Sequence, residues 1–168
     1  ICNAVRNRKE DFKQIVINTI HRCANAGVRI MVLASGPCRD VFEILSNPEF
    51  KGEKNIIFDC YDADQKAIDY AGQLINGDPR VRFFKQNVVR LALKKDVEQF
   101  ISDRYDLIYS TGLFDYLDYQ VSVRLISNLR KLLKTGGILA ISDVRDKFSN
   151  PSIYFMEWVA DWNLIYRD

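Results

Sequence analysis

Five short runs rich in β-forming residues recur along the chain: VRIMVL (28–33), NIIFDC (55–60), VRFFK (81–85), DLIYS (106–110) and GILAIS (137–142). Most are continuously apolar rather than alternating, the pattern of strands covered on both faces. Helical spacing fills the gaps between them. In ADQKAIDYAGQLI, residues Ala67, Ile68, Ala71, Leu74 and Ile75 share one face. In YQVSVRLISNLRKLLK, residues Val121, Leu125, Leu129, Leu132 and Leu133 do the same. Gly136–Gly137 then reads as a helix stop. VFEIL is helical in pattern. A helix over 9–26 is expected before the first strand. Another is expected over 151–166, started by Ser149–Asn150–Pro151. Strands about one βαβ unit apart call for right-handed crossovers. The expected fold is α/β: a doubly wound, Rossmann-like sandwich, with a mostly parallel sheet of about five strands and helices on both faces.

A chain of 168 residues suffices for one domain with a sizeable core, so 1–168 is read as a single domain. It opens on Ile1 rather than Met, and is expected to lack parts of a longer protein. The net charge of +2, without a dense basic run interleaved with aromatics, gives no footing for nucleic acid. No apolar stretch reaches the length of a membrane span. Cys2, Cys23, Cys38 and Cys60 form no Cys-x-x-Cys pair, and His21 is the single histidine. No metal site is expected, and reduced thiols suit a cytoplasmic protein. His21 lies mid-helix, where a surface role is favoured over a hydrolase triad.

In open parallel sheets, ligands bind beyond the carboxyl ends of the strands. The residues that follow the five strands are therefore the candidate site. Ala34-Ser35-Gly36-Pro37 follows the first, Tyr61-Asp62-Ala63-Asp64 the second and Gln86-Asn87-Val88 the third. Ser110 closes the fourth, followed by Thr111-Gly112 and then Asp115-Tyr116. Asp143 and Arg145 come after the fifth. A carboxylate at the end of the second strand can accept both hydrogen bonds from a ribose diol. Asp64, directly before QKAIDYA, suits a helix cap, which leaves Asp62 for a ligand. Two adenosine cofactors remain open. A pyrophosphate wants bare amides and a Gly-x-Gly-x-x-Gly turn. Here Gly36 is the only glycine of the first loop, and Asp40 in the next helical turn repels phosphate. S-adenosylmethionine carries no phosphate, and its charge is positive.

At these residues the chain resembles the class I S-adenosylmethionine-dependent methyltransferases over about 28–143. MVLASGPCRDV looks like the family's first motif, and IIFDCYDADQKAIDYA like its second. VRFFKQNVVRLAL, YDLIYSTGLFDYL and LRKLLKTGGILAISD resemble its third to fifth. The resemblance implies a cofactor site of Ala34, Ser35, Gly36, Asp62, Ala63, Asn87, Val88, Ser110, Thr111 and Gly112. Asp62 would hold the ribose. Ala63 would lie beside the adenine and Asn87 would meet the adenine amino group. Ser110 and Thr111 would lie near the methionine portion. The first motif departs from the family. Its acidic place holds Val32, and its three glycine places hold Ala34, Gly36 and Cys38. The family's terminal antiparallel hairpin is not expected here, because 151–166 reads as helix. SGPCRD, GLFDYL and MEWVADWNLIYRD resemble, more narrowly, a bacterial subgroup that forms methyl esters of hydroxy fatty acids.

The expected activity is methyl transfer to a small-molecule acceptor, a carboxylate or hydroxyl of a fatty-acid-like substrate. Asp115 and Tyr116, just past the fourth strand, are the candidate catalytic pair. A hydroxyl acceptor needs a base, whereas a carboxylate is already ionised at neutral pH. Asp115 as a helix cap and Tyr116 as a packing residue is an equal alternative. Two readings compete with methyl transfer: an NAD(P)-dependent oxidoreductase, and a non-catalytic domain that keeps the fold. Tyr154, Trp158, Trp162 and Tyr166 recur every four residues, which favours packing on the sheet over a substrate wall. Oligomeric state is not legible.

Overall fold

The computed structural model describes residues 2–23, 26–143 and 164–165. The expected helix over 151–166 and its aromatic stripe lie outside the described residues, apart from Leu164 and Ile165. Ten helices and strands alternate along the described chain: α1 (Cys2–Arg22), β1 (Val28–Leu33), α2 (Arg39–Leu45), β2 (Ile56–Asp62), α3 (Gln65–Ile75), β3 (Val81–Lys85), α4 (Val97–Phe100), β4 (Tyr105–Ser110), α5 (Tyr119–Lys131) and β5 (Leu133–Ile141). All strand pairings are parallel, and the order is β3-β2-β1-β4-β5.

Alternate residues of β1 enter two separate cores, which is why its sequence is apolar throughout. Val28, Ile30 and Val32 join Phe12 and Val16 of α1, Val41 of α2 and Ala71 of α3. Met31 and Leu33 join Val97 of α4 and Leu125 and Leu129 of α5 on the other face. The doubly wound sandwich is thus as expected. Its strand order reverses between β1 and β4, and that reversal opens the cleft described below.

Several boundaries differ from the sequence reading. α1 begins at Cys2 rather than at residue 9, and this early turn carries Arg8 across the sheet's carboxyl end. β2 runs on to Asp62, because Tyr61 and Asp62 pair with Phe84 and Lys85. Gly136–Gly137 is not the stop of α5. That helix ends at Lys131 and β5 starts at Leu133, so both glycines lie inside the strand at a register shift against Tyr105 and Leu107. The physical reason is close approach: a Cβ on Gly137 would stand 2.9 Å from the Tyr105 carbonyl oxygen. Sequence periodicity also missed the short 3-10 turn Val88–Leu93, whose Leu91 is fully buried. His21 is on the surface as expected, with Nε2 2.7 Å from Glu49. Among the described residues, no helix is long and apolar enough to cross a membrane.

Candidate cofactor and acceptor site

The loop after β1 holds three residues in the left-handed region: Ala34 (φ 49°), Gly36 (φ 53°) and Cys38 (φ 51°). These are the three glycine places of the sequence comparison. Two of the glycines are absent, yet the backbone shape that glycine favours is kept. The fold stabilises this shape with hydrogen bonds to β2. The Ser35 amide donates to the Tyr61 carbonyl at 3.1 Å, and the Gly36 amide donates to Asp62 Oδ2 at 2.7 Å. Left-handed backbone costs an L-residue about 1–2 kcal/mol. The Ala34 side chain is exposed and packs against nothing that would be lost. Ala34→Gly is therefore expected to stabilise the fold by roughly 0.5 kcal/mol, after the extra chain entropy of glycine in the unfolded state is subtracted. The midpoint of urea unfolding checks this.

Asp62 is half-buried, and it is not free as its sequence position implied. Besides Gly36, it takes the Asp64 amide on Oδ1 at 2.9 Å. A carboxylate offers about four acceptor sites, so two remain for a diol. Asp64 is the cap that sequence predicted, accepting from the Lys66 amide at 2.9 Å. Asp59 caps nothing. It is buried within the sheet.

Ala63 is exposed beside Asp62, and Asn87 is exposed beyond β3. Asn87 Oδ1 accepts from the Val89 amide at 3.1 Å and so starts the 3-10 turn. The Val88 side chain lies in the second core. Ser110 is fully buried and donates to the Leu33 carbonyl at 3.0 Å, tying β4 to β1 at the switch point. Its hydroxyl is thus structural, whereas Thr111 and Gly112 border the cleft.

That cleft has a volume of about 340 Å³. The β1 loop, the start of α2, the segment after β4 and the N-terminal half of α1 enclose it. A larger hollow of about 790 Å³ lies among residues 51–57 and 75–80, before β2 and β3, away from the carboxyl ends of the strands. Position rather than size selects the site.

Arg8 of α1 was not found from sequence. One guanidinium nitrogen, Nη1, donates to the Thr111 carbonyl and to Asp115 Oδ2, both at 2.8 Å. Asp115 is buried, so its charge is compensated by this pair. Tyr116 is 50% exposed. Burial and then the Asp115 charge raise its phenol, which therefore stays protonated near neutral pH. Asp40 was read from sequence only as a deterrent to phosphate. The structure places its half-buried carboxylate on the cleft, where it accepts from the Tyr109 hydroxyl at 2.6 Å. Burial raises its pKa above the usual aspartate value.

Solved structures of the same architecture are numerous. The plantazolicin methyltransferase BamL, in complex with a triazolic desmethylPZN analog and SAH, superposes with a TM-score of 0.62 at 16% identity, covering 82% of this chain and 46% of that one. The fold is shared with S-adenosylmethionine-dependent methyltransferases. The CurJ carbon methyltransferase has a TM-score of 0.70 at 13% identity, over 91% of this chain and 38% of its own. The N-methyltransferase NodS from Bradyrhizobium japonicum WM9, in complex with S-adenosyl-L-homocysteine, has a TM-score of 0.56 at 16% identity, over 79% and 60%. This chain thus spans between 38% and 60% of the length of these methyltransferases. No protein-family model matches the chain, and no curated protein matches it either.

Proposed function

We propose that the chain is the core of a cytoplasmic enzyme that transfers a methyl group from S-adenosylmethionine to a small-molecule acceptor. The observation that carries this reading is the left-handed β1 loop pinned by Asp62 at the β1–β4 switch point, on a fold shared with methyltransferases. The groups present suit the cofactor. Asp62 retains acceptor capacity for the ribose, Ala63 and Asn87 would flank the adenine, and Ser35, Thr111 and Gly112 line the cleft that would take the methionine portion. Asp40 disfavours the oxidoreductase alternative, because its carboxylate stands where a pyrophosphate would need bare amides.

When bound, S-adenosylmethionine supplies an electrophilic methyl group, which an acceptor oxygen displaces in line. The protein's part is to align that oxygen and exclude water. Asp115 is committed to Arg8, and Tyr116 is held protonated, so neither stands as a ready base. An acceptor that arrives ionised fits this pair best. We assign Tyr116 as a hydrogen-bond donor to a carboxylate and Asp115 as the group that positions Arg8. The exposed Val5 and the ring of Pro37 add apolar lining for an acyl chain. The acceptor class is accordingly a fatty-acid carboxylate, and methyl esters of hydroxy fatty acids are its narrower form.

Methyl-labelled S-adenosylmethionine offered with fatty acids, hydroxy fatty acids and fatty alcohols tests this. Label that enters the organic extract and is released as methanol by mild base is the expected result. Base-stable label on the alcohols would move the acceptor to a hydroxyl. No label on any of them would overturn the acceptor class.

A further inference from the structure

The cleft lining carries more charge than its ion pairs use. Arg8 is paired with Asp115, Lys9 with Glu43, and Arg39 points to the Tyr70 hydroxyl at 3.4 Å. Asp40 remains. Among the described residues it has no cationic partner: its contacts are the Tyr109 hydroxyl and backbone amides of its own turn. The charged group that acts on it is Glu43, of the same sign. A half-buried carboxylate that none of the cleft's cations pairs with is costly, and a cationic ligand group would relieve it. The strand-end position where a carboxylate could otherwise face the cofactor's amino group holds Val32, which is buried in the first core.

We propose that Asp40, oriented by Tyr109, is the anionic anchor for the ammonium group of the cofactor's amino-acid portion. This rests on the S-adenosylmethionine reading of the site. Asp40 lies in the first turn of α2, directly after the pinned loop, and shares the cleft with Ser35, Cys38, Thr111 and Gly112. Tyr109 reaches it from β4, one of the two strands that flank the switch point, and fixes this carboxylate. A nucleotide with a phosphate at the same place would meet repulsion, and a thioether nucleoside without the ammonium would gain nothing from Asp40.

The test is a binding cycle on the full chain by titration calorimetry. The ligands are S-adenosylhomocysteine, its desamino analogue without the ammonium, and methylthioadenosine without the amino-acid portion. The wild type is expected to bind S-adenosylhomocysteine at least tenfold more tightly than the desamino analogue. Asp40→Asn is expected to abolish that difference and to leave methylthioadenosine within twofold of wild type. Tyr109→Phe, which keeps the charge, is expected to lose no more than a few-fold. Wild-type binding that does not distinguish the desamino analogue would overturn the proposal, and so would an Asp40→Asn variant that still distinguishes it. If the wild type binds methylthioadenosine and S-adenosylhomocysteine equally, the cofactor reading stands and only the role of Asp40 fails. If it binds neither, the cofactor reading itself fails.

Discussion

Asp62→Ala is expected to weaken S-adenosylhomocysteine binding at least a hundredfold. Two effects add. The ribose loses a charged acceptor, and hydrogen bonds to a charged group are worth about 1.5–3 kcal/mol each. The β1 loop also loses its tie, because the same carboxylate holds the Gly36 amide at 2.7 Å and the Asp64 amide at 2.9 Å. Without it, Ala34 and Cys38 are left in strained left-handed backbone with one fewer bond to hold them. Asp62→Asn keeps one acceptor oxygen but turns its NH2, a donor, toward the second backbone amide, so it should lose affinity together with part of the loop's stability, less than Asp62→Ala loses. Calorimetric titration alongside urea unfolding measures both. Affinity within threefold of wild type in a folded Asp62→Ala variant would contradict the assignment.

The second large effect concerns stability. Asp59 is fully buried on β2, directly opposite Arg82 of β3 in the register. Arg82 meets it with two hydrogen bonds of 2.6 Å each, and the Tyr105 hydroxyl of β4 donates a third at 3.0 Å. Burial, followed by Tyr61 and Asp59, holds the Tyr105 phenol well above its ordinary range, so it remains a donor. Arg82 also pairs with Asp103, which Arg29 of β1 meets in turn. One carboxylate therefore links the middle of β2 to the amino ends of β3 and β4. Removing one partner of a buried pair costs about 3–5 kcal/mol, because the other charge is left uncompensated. The Arg82 side chain is 41% exposed, which places Arg82→Met near the lower end, at about 3 kcal/mol. The double variant Asp59→Leu/Arg82→Met should recover most of that loss, since no buried charge remains. A single variant as stable as wild type would show that water already solvates Asp59.

The sequence was most informative where a single local cause decides the structure. Continuous apolar runs placed all five strands, and the bounds of β1 and β3 agree with the sequence reading. The Asp64 cap was legible because its partner lies two residues away. The strand ends that line the candidate site were legible in position, because they can be located from the strands themselves. What escaped is set by distant partners. Nothing near Arg8 announces a bond to Asp115, which lies 107 positions further on. Nothing local marks Asp59 as the centre of a buried network; its partner Arg82 is set opposite it only by the strand register. Two of the loop's glycine places hold Ala34 and Cys38, and the bonds from Ser35 and Gly36 to Tyr61 and Asp62 that keep the loop left-handed are not visible in the local sequence. Gly136–Gly137 misled because helix stop and close strand approach call for the same residue.

On the proposed reading, S-adenosylmethionine or its thioether product, rather than a dinucleotide, occupies the carboxyl end of the sheet. Titration calorimetry of the wild-type chain with S-adenosylhomocysteine and, separately, with NAD tests it directly. A saturable one-site isotherm with S-adenosylhomocysteine and none with NAD is the predicted result. Saturable binding of NAD with no heat from S-adenosylhomocysteine would contradict it.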